Sequence, residues 1–412
     1  MKKFIAVLIT SVLLMSMASV VSAADVTLEF QQWWGVELPP GELQDIVDGF
    51  TEKTGIKIVL LSNPYADTNT QIAAGAATGT MADVVGLDGS WVYDYAKMGA
   101  ISNLTQLMKE SGYDDSQLTD QIRIDGDTYM IPVVNFAYPM FVNRDLVQAA
   151  NLGELPKTRS EFVEAAKAVV DATDAYGWII PLSTSTPSGA QNQFMSWLWA
   201  SGGSMLADGQ PNLVGNKAME ETVEFVKGLF DNNLVSPGAY SMTEPTMVEE
   251  FVNGRVAFMT SSLAHLYLIK DSAPTLNLDV MAVPSADGYT GERGMVVANW
   301  GIGIARNSKH QTEAMQFVQY MMSPEVNARL AKAANAFPGN KFASPDYSDA
   351  EPLFVKAYEI FMDSYAVNEF TGLPTSEHLM RAFNEHFMLH IEGDIDLQEM
   401  LSGTQDEWER AF

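Results

Sequence analysis

The chain has 412 residues, with 52 acidic and 24 basic side chains, no cysteine, and a formal net charge of −28 at pH 7. An acidic surface of this kind repels phosphate backbones and anionic lipids, which argues against nucleic acid or a membrane surface as a partner. The length exceeds what one hydrophobic core usually serves, so two domains are expected.

The N-terminus has the pattern of a secretory signal peptide. Two lysines follow Met1, residues 4–21 are apolar, and small residues lead to Ala23. This pattern predicts a signal peptide over residues 1–23 that is cleaved after Ala23, whereas an uncleaved anchor is disfavoured by the polar chain that follows. No cysteine is available for a lipid anchor. We therefore expect a protein of the bacterial periplasm.

The chain after Ala23 alternates between strands and helices. Residues 26–32 and 56–61 read as strands, and the helix between them places four apolar residues on one face before it ends at Gly55: Leu43, Ile46, Val47 and Phe50. A second helix over 71–77 and a buried strand over 82–85 repeat the pattern. Strand, helix and strand in this order predict an α/β fold with a parallel sheet.

Aromatic and acidic residues follow two of these strands. Trp33 and Trp34 come directly after the first strand, and Asp88 and Trp91 come after the third. In open α/β sheets, ligands bind beyond the carboxyl ends of the strands, so these residues are candidates for a binding site. Core packing of the tryptophans and helix capping by Asp88 are the alternatives.

Residues 124–146 contain two apolar strands that are separated by polar and aromatic residues. Asn135, Phe136 and Tyr138 lie between the strands. A strand that crosses from one lobe to another would place such residues at a cleft, where ligand sites are common. A bulged strand within one sheet, with Asn135 solvated, fits the same pattern, and the pattern alone does not separate the two interpretations.

The second half of the chain begins with a capping box at 158–161. Residues 191–200 predict a helix in which Trp197 and Trp199 are too close in sequence to share one face, so one should be buried and the other partly exposed. Further strands are expected at 177–182, 255–260, 278–283 and 301–305, and the chain from residue 311 onward should be almost entirely helical. No linker is visible, which suggests that the chain passes between its two lobes more than once.

Motifs for catalysis and metal binding are missing from the sequence. His378, His386 and His390 are the nearest approach to a metal site, but a solvated helix face explains them better. There is no nucleophile elbow, phosphate loop or dinucleotide fingerprint, so we expect no enzyme activity, no cofactor and no metal. The chain instead holds eight tryptophans and fourteen tyrosines, which suggest flat platforms for sugar rings, with polar side chains to meet the hydroxyls.

Several segments, taken together and in order, resemble a known family. They are FTEKTGI at 50–56, DVVGLDGSW at 83–91, FVNRDL at 141–146 with LPKT at 155–158, FVNGRVAFM at 251–259, GIGIA at 301–305 with 314–317, and MSPEV at 322–326. Over nearly the whole mature chain, the sequence resembles the family 1 extracellular solute-binding proteins of ABC importers, the group that includes maltose-binding protein.

This resemblance implies a two-lobed periplasmic binding protein fold of type II, with three crossings and a carbohydrate held between the lobes. The crossings would lie near Val134, Pro284 and Ser323. The first lobe would then comprise residues 24–134 and 285–322, and the second lobe residues 135–284 and 323–412. The expected partners are a carbohydrate ligand and the transmembrane subunits of an ABC permease, and the protein is expected to be a monomer.

The resemblance also places the binding site by position. The implied substrate-binding residues are Trp33, Trp34, Asp88, Trp91, Asn135, Phe136, Tyr138, Trp197, Trp199, Trp300 and Phe337. The sequence departs from the family at 261–264, where Ser-Ser-Leu-Ala stands in place of the common Asn-Gly-Pro-Trp. The aromatic platform usual at that point is missing, which leaves the identity and size of the sugar open.

The sequence also indicates what charge the ligand carries. Few basic residues occur in the candidate cleft segments, and Arg123 and Arg144 are the nearest. An anion would need charge-assisted partners, so a neutral sugar or oligosaccharide is expected. A binding protein for a polyamine or another cation is the alternative, and it would show carboxylates converging in the cleft. An exported glycoside-active enzyme is a third hypothesis. Such an enzyme needs two carboxylates at a suitable distance, and some pair of this kind always exists in so acidic a chain.

Overall fold

The computed structural model describes residues 26–412. The predicted signal peptide over 1–23 lies outside the described residues. Within residues 26–412, no helix combines the length and the apolar character that crossing a membrane would require.

The described chain alternates between strands and helices, with several further helices at its C-terminal end. The strands are β1 (Thr27–Gln32), β2 (Lys57–Ser62), β3 (Val84–Leu87), β4 (Ile122–Ile124), β5 (Asp127–Ala137), β6 (Met140–Asn143), β7 (Tyr176–Trp178), β8 (Leu206–Ala207), β9 (Gln210–Pro211), β10 (Val256–Thr260), β11 (Leu278–Met281), β12 (Arg293–Ile304), β13 (Phe337–Pro338) and β14 (Ser364–Val367). The helices are α1 (Trp34–Glu37), α2 (Glu42–Thr54), α3 (Tyr65–Thr78), α4 (Val92–Lys97), α5 (Leu104–Ser111), α6 (Arg144–Ala149), α7 (Arg159–Ala172), α8 (Met195–Trp199), α9 (Lys217–Asp231), α10 (Glu244–Val252), α11 (His265–Ser272), α12 (Gln311–Met321), α13 (Pro324–Ala333), α14 (Pro352–Met362), α15 (Ser376–Glu392) and α16 (Leu397–Glu409).

The first lobe is built on a sheet whose main strand order is β13-β5-β12-β3-β1-β2. β1 pairs in parallel with both β2 and β3, as the strand and helix alternation predicts. α2 buries the predicted apolar face and ends at Gly55, which has a φ of 78° and occupies the left-handed position that favours glycine. β12 runs antiparallel to β3 and β5 and closes the central part of the sheet.

The second lobe is built on a sheet with the order β11-β6-β10-β7. Side chains alternate across it with the period of two that strands impose: Phe141 joins one hydrophobic cluster, while its neighbours Met140 and Val142 join another on the opposite face. Both faces are therefore covered by apolar residues. The capping box predicted at the start of α7 is present, with Thr158 and Glu161 each accepting a backbone hydrogen bond.

The chain passes between the two lobes where β5 leads into β6 and again between β11 and β12, close to the positions expected at Val134 and Pro284. The third passage differs from the expectation at Ser323. α13 packs in the core of the first lobe, where Leu330 and Ala331 are fully buried, and β13 still pairs with β5. The chain therefore stays with the first lobe through Lys341 rather than leaving it at residue 323, because the apolar face of α13 is buried against the first sheet.

Asn327 links α13 to the crossing strand β5. Its side chain is fully buried, donates a hydrogen bond to the Val133 carbonyl at 2.8 Å and accepts one from the Asn340 amide at 2.9 Å. We expect Asn327→Ala to lower the free energy of unfolding by about 1–3 kcal/mol, because buried backbone groups lose their partners. Denaturant unfolding followed by circular dichroism measures this change. The exposed Gln44→Ala is the control and should stay within about 0.5 kcal/mol of the wild type; an equal loss in both variants would contradict this role.

Candidate functional site

Three aromatic side chains meet where the parallel strands of the first lobe end. Trp33 follows β1, Tyr65 begins the helix after β2, and Trp91 follows β3. Their ring centroids lie 5.2 Å apart for Trp33 and Tyr65, 5.5 Å for Trp33 and Trp91, and 4.9 Å for Tyr65 and Trp91. They come together because the carboxyl ends of adjacent parallel strands share one edge of the sheet. We call these three residues the aromatic wall.

A second group of aromatic residues supports this wall from inside the lobe. Trp34 stacks on Trp300 with the centroids 5.4 Å apart and the planes 7° apart, and Phe136 meets Trp300 edge to face at 4.9 Å. All three are buried in the core of the first lobe. Trp34 in turn contacts Trp33 at 6.3 Å. Three predicted site residues, Trp34, Phe136 and Trp300, therefore pack behind the wall. For Trp34 this is the core packing that the sequence left as the alternative to a binding role.

Four carboxylates lie near Tyr65 of the wall or near Tyr138, and we call them the acidic cluster: Glu37, Asp88, Glu244 and Glu377. Glu37 ends α1 and Asp88 follows β3, so both belong to the first lobe. Glu244 and Glu377 lie in the first turns of α10 and α15, which belong to the second lobe. The cluster therefore has two members on each side of the cleft between the lobes.

Hydrogen bonds fix two of these carboxylates. The Ser90 backbone amide and hydroxyl donate to Asp88 at 2.9 Å and 2.7 Å, so Asp88 closes a local turn and does not cap α4. The Asn69 side-chain amide donates to Glu377 at 3.0 Å. Because Asn69 belongs to the first lobe and Glu377 to the second, this hydrogen bond crosses the cleft.

The environment of the cleft favours the neutral form of these acids. Burial raises the pKa of Asp88, Glu244 and Glu377, and the charge of Asp88 raises the latter two further. Two causes raise the pKa of Glu37 to about 8: the surrounding protein disfavours the charged form, and the negative charge of Glu244 opposes its ionisation. The Glu37 side chain nevertheless contacts solvent. The negative charges of these carboxylates therefore raise one another's pKa across the cleft.

Positive charge near the acidic cluster is sparse. The His265 ring lies 3.8 Å from the Glu244 carboxylate, and Arg381 lowers the pKa of Glu377 by its charge. Arg144, one of the two basic residues predicted near the cleft, is paired instead with Asp279 at 2.7 Å. Among the described residues, the four acids therefore lie near one arginine and one histidine.

A row of polar side chains continues the site into the second lobe. Tyr138 is only 6% exposed, and burial, followed by the charges of Glu244 and Asp88, raises its pKa. Its hydroxyl accepts a hydrogen bond from the Asn192 amide at 3.4 Å, and the Asn192 side-chain oxygen accepts one from Gln191 at 2.9 Å. A π-helical turn over Ala190–Phe194 presents these amides, and the Gln191 side-chain oxygen has no hydrogen-bond partner among the described residues.

A separate cavity of about 550 Å³ lies on the other side of the crossing strands. Its lining includes Asn135, Asn299, Arg123 and Phe337. Asn135 and Phe136 are neighbours in β5 and face opposite sides of it, so Asn135 and Phe337 are separated from the aromatic wall. We assign the candidate site to the cleft with the wall, despite the size of this cavity, because the cleft lies at the ends of the parallel strands and gathers the ionisable groups.

Trp197 and Trp199 lie in the core of the second lobe, and neither is exposed. Trp197 packs against Phe162 at 4.9 Å, and the Trp199 indole donates a hydrogen bond to Glu369 at 2.8 Å. The expectation that one of the pair would be partly exposed is wrong. The segment is enclosed on all sides, since α15 packs on the π-helical turn and β12 packs on α8.

The solvated helix face expected for His378, His386 and His390 is found only at His378, whereas His386 and His390 contact carboxylates and His390 is 5% exposed. His386 lies 3.1 Å from Glu407, and His390 lies 3.4 Å from Glu224. Within residues 26–412, no group of three or more His, Asp or Glu side chains has the arrangement that would hold a metal ion.

Sequence reasoning missed several residues of the site. Glu37 and Tyr65 follow the ends of β1 and β2, so the strand-end rule that identified Trp33 could have found them. Glu244 and Glu377 carry no comparable signal, because acidic residues in the first turn of a helix are ordinary. Only the approach of the two lobes brings them to the wall.

Comparison with known proteins places the chain in a family. Residues 37–328 match the model of the bacterial extracellular solute-binding protein family. A Brucella abortus binding protein is 24% identical over 349 residues, which cover 82% of each chain. The diacetylchitobiose binding protein DasA of Streptomyces coelicolor is 24% identical over 309 residues, which cover 72% of this chain and 69% of DasA.

A solved structure shows the same fold. The GacH receptor of Streptomyces glaucescens, which has been determined without ligand and with acarbose, aligns with a TM-score of 0.78 at 21% identity and covers 94% of this chain and 98% of its own. Because the family model spans most of the chain, this protein belongs to the bacterial extracellular solute-binding proteins. The two-lobed α/β fold expected from the resemblance is confirmed.

The raised pKa of Glu37 predicts how stability depends on pH. The folded protein keeps the Glu37 proton up to a pH of about 8, whereas the unfolded chain releases it near 4.5, so the contribution of Glu37 to stability is lost as pH rises between these values. Glu37→Gln should therefore melt at a higher temperature than the wild type at pH 8, and this advantage should shrink toward zero near pH 4.5. Melting curves across this range measure the difference. The exposed Glu52→Gln serves as the control, and a difference for Glu37→Gln that does not change with pH would contradict the assignment.

Proposed function

We infer that this protein binds a sugar or a short oligosaccharide in the cleft between its lobes and delivers it to an ABC permease. The observation that carries this proposal is the aromatic wall with polar groups around it. Flat apolar rings match the face of a sugar, and the carboxylates and amides match its hydroxyls. The sugars bound by related proteins support the same class of ligand.

The proposed mechanism is an equilibrium between an open and a closed arrangement of the lobes. Contacts already join the two sides at the start of α15, where the Gly372 amide donates to the Gly89 carbonyl at 3.1 Å and the Thr375 amide donates to Asp94 at 3.2 Å. A ligand that contacts the wall and the second lobe together binds only the closed form, so it shifts the population toward closure. The closed form then presents a composite surface to the permease.

The remaining expectations follow from this role. Export through the predicted signal peptide would place the mature protein in the periplasm, where we expect it to act as a monomer. No covalent bond of the ligand is made or broken in this mechanism. Incubating the protein with any sugar that it binds should therefore return the sugar unchanged by chromatography.

The acidic cluster favours a second candidate function, the binding of a polyamine. Converging carboxylates are the feature that a linear polycation would need. The wall and the amides of the π-helical turn are present in the same cleft, however, and together they match the flat face and the many hydroxyls of a sugar more fully than the chain of an alkyl amine. We therefore place the sugar first.

A thermal-shift screen tests the proposed function. Residues 24–412 are heated with neutral mono- and oligosaccharides, uronates and polyamines in separate wells. A ligand at 100 times its dissociation constant should stabilise the protein by about 2.7 kcal/mol. A rise in melting temperature with a sugar supports the proposal. A rise with polyamines alone would overturn the sugar assignment.

Tyr65 tests whether the wall forms the binding surface. Tyr65 is 39% exposed and contacts both tryptophans of the wall, so Tyr65→Ala should weaken binding of the sugar found in the screen by about tenfold or more through loss of ring contact. Titration calorimetry measures the change. Tyr240→Ala is a matched control, since Tyr240 is 38% exposed and lies in the second lobe outside the cleft. Equal affinities in both variants would move the site away from the wall.

A further inference from the structure

The acidic cluster is not balanced by the protein. Glu37 and Asp88 on one lobe face Glu244 and Glu377 on the other, while among the described residues only Arg381 and, when protonated, His265 act on them with positive charge. Each carboxylate that ionises raises the cost of ionising the next. Because the members are divided between the lobes, their repulsion opposes closure of the cleft.

Buried polar atoms without partners point to a ligand in the same place. Trp91 is 4% exposed, and its indole N–H has no hydrogen-bond partner among the described residues. The indole lies near Glu377 and lowers the pKa of that carboxyl, but the geometry falls short of a hydrogen bond. One buried carboxylate oxygen of Glu244, which faces the His265 ring at 3.8 Å, also accepts no hydrogen bond within residues 26–412. A donor and an acceptor are therefore both left open beside the aromatic wall.

The spacing of the acids argues against a metal ion as their partner. Metal ligands must converge within about 2–2.6 Å of one ion. No three acidic or histidine side chains in residues 26–412 are arranged in that way. An organic cation is larger than a metal ion and does not need ligands that converge so closely.

We propose that the sugar carries a free ammonium group, so that the natural ligand is an amino sugar or an oligosaccharide that contains one. The ring stacks on the wall of Trp33, Tyr65 and Trp91, and the ammonium group lies among the four carboxylates. The proposal rests on the function inferred above and names its substrate class. The ammonium group also explains closure, since it cancels the repulsion between the lobes at the moment when they meet.

Matched sugars test the charge of the ligand. Glucose, galactose, mannose and their β-1,4-linked disaccharides are compared by titration calorimetry with the forms that carry an amino group or an N-acetylamino group at C2. Each set differs only at that position. At least one amino form should bind ten times or more tightly than both of its neutral counterparts, and added salt should narrow the gap.

Substitution of the cluster shows where the ammonium group is bound. Glu244→Gln removes a charge and keeps the shape of the side chain, so it should weaken binding of the amino form by at least ten times the factor by which it weakens binding of the neutral form. Glu377→Gln on the opposite helix should behave in the same way. Glu249→Gln is the matched control, because Glu249 is an exposed residue of α10. Melting temperatures of the ligand-free variants show whether folding is preserved.

The outcomes separate the two proposals. Preference for an amino form that is lost in Glu244→Gln and kept in Glu249→Gln supports the ammonium site. Neutral sugars that bind as tightly as their amino forms would overturn it and leave the proposed function intact. Binding of no sugar in any form would overturn both.

Discussion

The structure depends on the pairing of two long antiparallel strands, β5 and β12, which run from one lobe toward the other. Their register matches Asn135 with Asn299, and a bulge follows at Trp300 and Gly301. A Cβ at Gly301 would lie 2.2 Å from the Met130 sulfur, so any larger residue there would force the buried Met130 side chain to move. The pair forms one stiff connection, and the position of every group in the cleft is set relative to it.

The period of two along these strands decides what lies on each side of them. Asn135 and Asn299 face the cavity behind the pair, while Phe136 and Trp300 face the core. Phe136 packs against Trp300, and Trp300 stacks on Trp34. Trp34 in turn packs against Trp33 of the wall. Rigid support of this kind places a binding surface within the narrow tolerance that recognition needs, because the rings cannot rotate away.

The aromatic and acidic parts of the cleft perform different tasks. The wall belongs entirely to the first lobe, so it is complete before the lobes meet. The acidic cluster is divided between the lobes and is complete only when they meet. A ligand that satisfies both would therefore bind first to one lobe and then draw the other toward it, which couples recognition to the change of shape.

The sequence by itself determined the local structure of this protein: the α2 stripe ending at Gly55, the capping box at 158–161, and the strand ends that carry Trp33 and Trp91. These features depend on neighbours within a few residues, and periodicity records them directly. Only the tertiary structure decided that α13 belongs to the first lobe and that Glu244 and Glu377 face the wall. Those contacts join positions more than a hundred residues apart, and a helix buries whichever face finds an apolar surface. No local pattern records which surface that is.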